Sequence, residues 1–81
     1  NNIEILSYLG QTFNEVGDLN MSEIYYQEGL NIDPTDNFIN QKLGELYFNS
    51  KRINLANERL KVLNSCNCQE YINLKTIFEK N

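Results

Sequence analysis

The feature that most constrains this chain is a self-similarity at an interval of 34 residues. Shifting the sequence by that amount sets Leu9-Gly10 on Leu43-Gly44, Phe13 on Tyr47, Leu19 on Ile53, Ser22 on Ala56 and Tyr26 on Leu60. Large positions fall on large ones and small on small across the whole unit. A period of this size marks a repeat architecture, in which each unit is one supersecondary piece that buries its apolar side on the next.

Each unit reads as two helices. In the first, Ile3, Leu6, Leu9, Gly10, Phe13 and Val16 form a stripe of three- and four-residue spacing. "EVGDLN" interrupts it: Gly17 can take the left-handed conformation that ends a helix, and Asp18 can cap the next. A second stripe runs through Leu19, Ser22, Tyr26, Gly29 and Leu30 and stops at Asp33-Pro34, because the residue before a proline avoids helical angles. Thr35 or Asp36 caps the third helix. The second unit carries Phe38, Leu43, Tyr47 and Phe48, a turn at "NSKR", then Ile53, Ala56, Leu60 and Leu63. A fifth helix is predicted over roughly 69–80 from Ile72, Leu74, Ile77 and Phe78, with polar Asn73, Lys75, Glu79 and Lys80 on its outer side. The Leu-Gly pairs then have a packing purpose. A glycine inside a helix costs about 1 kcal/mol relative to alanine, and two at equivalent places point to close helix crossings with an aromatic filling the groove beside each. They are no phosphate loop, since no strand precedes them.

The quoted residues resemble the tetratricopeptide repeat family, whose pattern of 34 residues has a large residue, Leu-Gly, Tyr, a small residue, an aromatic, a second small residue and Pro. Leu6, Leu9, Gly10, Phe13, Ser22, Tyr26, Gly29 and Pro34 match it in the first unit. Asn40, Leu43, Gly44, Tyr47, Ala56, Leu60, Leu63 and Cys68 occupy the same places in the second, which departs from the pattern at Asn40, Leu63 and Cys68. The resemblance implies an all-α fold of about five helices: antiparallel helix-turn-helix repeats in a short right-handed superhelix. The organisation is a single domain over 1–81, with repeats at 3–36 and 37–68 and a capping helix at 69–81.

By the same resemblance the chain is expected to be a scaffold or adaptor whose first helices line a concave groove for a peptide or partner helix. The groove positions are Ser7, Gln11, Asn14, Phe38, Gln41, Lys42, Glu45 and Phe48, flanked by Glu4, Glu15 and Asn49. Phe38 and Phe48 read either as apolar anchors or as packing residues, Phe48 under a neighbouring helix and Phe38 at a helix start. A subgroup of the family holds a chaperone's terminal carboxylate with several cations; the corresponding Ser7, Gln11, Lys42, Ile72 and Thr76 include one cation, which disfavours that ligand. The alternative role is structural: the end of a longer array, or a self-associating unit, with Ile5, Tyr8, Ile24 and Tyr25 as an uncovered apolar face.

Charge is distributed unevenly. Residues 1–41 hold seven acids and no base, whereas 42–81 hold all seven bases and four acids. Bases this few disfavour nucleic acid as a partner, and the polarity fits an acidic end stacking on a basic one, in adjoining repeats or a homo-oligomer. At 41% hydrophobic and 22% charged residues the composition is that of a soluble globular protein, with no apolar run long enough to insert in a membrane. A chain opening "NNIEIL" without Met reads as a fragment or a processed product; a cytoplasmic location is expected, an extracytoplasmic one if a leader has been removed.

Cys66 and Cys68 admit three readings: two small half-buried residues in the turn before the cap, a disulfide or redox pair within or between chains, or half of a metal site. The first is favoured, and no metal or other cofactor is expected. With no histidine, and with Ser7, Ser22, Ser50 and Ser65 lacking a triad-like partner, the chain is expected not to be an enzyme.

Overall fold

The structure, a computed structural model, describes residues 2–80. Its five helices are α1 (Asn2–Glu15), α2 (Leu19–Ile32), α3 (Asn37–Asn49), α4 (Ile53–Leu63) and α5 (Gln69–Lys80), and the described residues include no strand. α1 pairs with α2 and α3 with α4, each pair joined by a connection so short that its helices must run antiparallel. α3 lies between α1 and α5, which do not touch.

Both hairpin turns are built alike. After α1, the Gly17 N–H donates to the Asn14 carbonyl and the Asp18 N–H to the Phe13 carbonyl, with Gly17 at φ +88°. After α3, Lys51 donates to Phe48 and Arg52 to Tyr47, with Lys51 at φ +67°. Each is the two-bond closure that ends a helix on a left-handed residue. The interval of 34 residues thus survives in backbone geometry, although a lysine at the left-handed position costs roughly 1 kcal/mol more than glycine. Asp18 accepts a hydrogen bond from the Met21 N–H (3.1 Å) and Asp36 one from Ile39 (2.9 Å), capping α2 and α3, while Arg52 gives α4 no side-chain cap.

Helix packing explains the glycines. A Cβ at Gly10 would stand 2.5 Å from the ring of Tyr26, and Tyr26 has no exposed surface to retreat into. Ser22 Oγ donates to the Gly10 carbonyl at 2.7 Å inside the same crossing, so the small pair Gly10 and Ser22 sets α1 directly on α2. Gly44 serves a different neighbour: a Cβ there would meet Leu74 of α5 at 2.6 Å and Arg59 of α4 at 3.2 Å. The core is Tyr26, Ile39, Leu43, Leu46, Tyr47 and Ala56, most of it from α3. Two residues of the expected stripes lie elsewhere: Val16 falls beyond the end of α1 and is 71% exposed, and Leu19 is 42% exposed at the start of α2.

The two hairpins are joined by a polar clamp. Arg52 pairs with Glu23 at 2.8 Å and lies over the Tyr47 ring, while Gln27 donates to the Tyr47 hydroxyl at 2.9 Å. Asn40, standing where a large apolar residue would follow the repeat pattern, is fully buried. Its amide donates to the Pro34 and Asp36 carbonyls, and its oxygen accepts from Arg59.

Cys66 and Cys68 are joined as a disulfide, their Cα atoms 5.2 Å apart, in the connection between α4 and α5 where Asn67 takes φ +52°. This corrects the favoured reading of two unbridged small residues. The left-handed residue between the cysteines turns the backbone enough to bring their side chains together.

Candidate functional site

The expected groove positions divide into two groups. Ser7 and Gln11 of α1 and Phe38 of α3 share one open hollow of about 310 Å³, which Ile3, Glu4, Tyr8 and Asp36 complete. Ile3 and Phe38 give it apolar surface; Ser7 and Gln11 offer a hydroxyl and an amide; Glu4 and Asp36 put carboxylates at its edge. Tyr8 is 69% exposed there. Asp36 comes to the hollow because it caps α3, and Phe38 follows two residues later in that helix's first turn.

The second group lies where α5 packs across α3. Gln41 donates to Glu45 at 2.6 Å and accepts from Asn73 of α5 at 3.3 Å. The Phe48 ring lies 4.8 Å from that of Phe78, also of α5, so Phe48 takes the packing role of its two readings. Lys42 bridges the groups, with its ammonium 3.9 Å from Glu45 and 5.7 Å from the centre of the Phe38 ring. Asn14 is exposed near the far end of α1 and lines neither the hollow nor the α3–α5 contact.

This arrangement has chemical consequences. The one cation in the row is already engaged by Glu45 and by an aromatic face, so the hollow has little to offer an anionic ligand. Its carboxylate edge and aromatic walls instead suit a ligand carrying both an apolar side chain and a cation. Tyr8 and Asp36 are the contributors that the groove reading leaves out. Tyr8 lies one residue past Ser7 in the same row, and its bulk at an otherwise polar position is the signal for it. Asp36 was legible as a cap but not as a groove wall.

On the opposite side, a seam of about 330 Å³ between α2 and α4 is lined by Gln27, Tyr47, Leu55 and Arg59 among others. Its polar groups are engaged within the fold, Gln27 with Tyr47 and Arg59 with Asn40. Among the described residues no His, Cys, Asp and Glu side chains gather as a metal site, and no helix is long and apolar enough to cross a membrane. Compared with protein-family models, curated proteins and solved structures, the chain matches none.

Proposed function

We propose that the chain is a tetratricopeptide-like protein-interaction module, its helix pairs stacked as a short right-handed superhelix, which holds a peptide or partner helix in the hollow between α1 and α3. The carrying observation is the convergence of Ser7, Gln11, Tyr8 and Phe38 from two helices on one open cleft with an acidic edge. The left-handed turns recurring 34 residues apart support the repeat reading. An apolar side chain of the ligand lies against Phe38 and Ile3, Ser7 and Gln11 hydrogen-bond to its backbone, and Glu4 and Asp36 attract a neighbouring lysine or arginine. The module carries no catalytic role of its own and acts by placing its ligand.

Peptides selected from a random display library against the chain test this reading. Their amide-shift footprint should fall on Ser7, Gln11 and Phe38, and Phe38→Ala or Tyr8→Ala should weaken them at least tenfold, the loss of one aromatic anchor. Unchanged affinity in Phe38→Ala, or a footprint on the α2–α4 seam, rejects the groove.

A further inference from the structure

The two ends of the molecule differ in charge, and each carries its own apolar hollow. At the α1–α2 end, Ile5, Leu6 and Ile32 floor a hollow of about 330 Å³ with Glu28 in its wall. Ile5 is 58% and Ile32 52% exposed, more than solvent-facing isoleucines on a filled surface. The half of the chain that builds this end has seven acids and no base, and the Arg52 that reaches back to it is already paired with Glu23. At the α4–α5 end, Leu60 and Tyr71 line a hollow of about 180 Å³ together with Lys61. Lys75 stands over the Tyr71 ring at 5.6 Å, and Ile72, 53% exposed, lies one turn before Lys75 on the same helix. All seven bases belong to this half, against four acids, Glu70 among them.

From these two surfaces we infer that the chain associates head to tail with a second copy of itself. The acidic α1–α2 hollow of one copy receives the α4–α5 end of the next, with Glu28 facing Lys61. Charge selects the pairing. Head against head would set two acidic halves together, tail against tail two basic ones, and only head against tail places opposite signs in contact. Apolar burial of Ile5 and Ile32 against Ile72 and Tyr71 supplies the attraction that salt does not screen. Such a contact is heterologous, so the assembly grows to a ring or a short filament rather than stopping at a symmetric dimer. The inference uses neither Ser7, Gln11 nor Phe38, so it stands or falls apart from the groove.

Sedimentation velocity over a concentration series, at low and at high salt, tests it with charge reversals at two exposed positions. The wild-type chain should sediment faster as concentration rises at low salt and shift toward monomer at high salt. Glu28→Lys alone and Lys61→Glu alone should each sediment as monomers with unchanged circular dichroism. Mixing the two variants should restore assembly, because each then meets its complement, and so should the Glu28→Lys, Lys61→Glu double variant. A wild-type chain that stays monomeric at low salt overturns the inference. So does Glu28→Lys that dimerises with wild type, which would place head on head. Binding of an amphipathic lysine-leucine peptide at Ile5 and Ile32 by a chain that remains monomeric would overturn it as well, by giving the face to another partner.

Discussion

Tyr26 is the residue at which the fold gives up most for its packing. Its ring closes against Gly10 with no exposed surface, yet its hydroxyl has no hydrogen-bond partner among the described residues. Burial, reinforced by the negative charges of Glu45 and Glu15, pushes its pKa from 10.0 up to about 12. The ionised form is thus penalised in the native state, and the unfolded chain loses this proton first. The contribution is constant below pH 10 and declines as pH rises from there toward about 12, a total of roughly 3 kcal/mol. An unsatisfied buried hydroxyl is itself a burden of about 1–3 kcal/mol. Tyr26→Phe should therefore raise stability by about 1 kcal/mol at neutral pH, with the gap widening by about 1 kcal/mol more at about pH 11. Urea unfolding of both chains at the two pH values measures this, and parallel pH profiles would count against it. The match between Tyr26 and the aromatic of the repeat pattern was legible in the sequence; the missing partner for its hydroxyl was not, since that depends on every element packed around the ring.

At the scale of elements, the instructive position is Asn40. By sequence it departs from a place where large apolar residues are usual, and replacing it with leucine looks like a return to pattern. The structure says otherwise, because Asn40 ties three elements together: the turn before α3 through Pro34 and Asp36, and α4 through Arg59. Asn40→Leu should cost about 2–4 kcal/mol, since it leaves the Pro34 carbonyl and the Arg59 guanidinium short of partners. Asn40→Asp, which keeps the acceptor for Arg59, should cost less. Thermal unfolding of the two variants compares them; a leucine variant as stable as the native chain would remove Asn40 from its linking role. The helix limits were largely readable, because their signals are local: left-handed Gly17, capping Asp18 and Asp36, Asp33-Pro34, and the stripe of 69–80. What periodicity could not reveal is which surface α5 covers. Its settling on α3 takes Gln41 and Phe48 into packing and leaves Ser7, Gln11 and Phe38 as the open part of the groove. That division comes from contacts between residues about thirty apart, and no local pattern encodes them.

The whole molecule is organised around α3. It is the one helix that packs against all four others, and it carries the buried residues Ile39, Asn40, Leu43, Leu46 and Tyr47. α1 buries only Gly10 fully and leans chiefly on α2, through the Ser22 hydrogen bond and the stacked Phe13–Tyr25 rings. Stability should therefore be graded, with α1 opening below the free energy of global unfolding while α3, α4 and α5 stay closed. Native-state hydrogen exchange in low denaturant should give α1 amides an opening free energy at least about 1 kcal/mol below that of the slowest α3 amides, with a weaker denaturant dependence. If α1 and α3 exchange together, the chain is one cooperative unit and this ordering fails. The grading bears on the proposed groove, since its wall of Ser7, Tyr8 and Gln11 stands on the least secured helix. A ligand held between α1 and α3 adds contacts that exist only while α1 is closed. It should therefore slow exchange in α1 far more than in α4, and the extent of that slowing reports how much of the binding free energy rests on that wall.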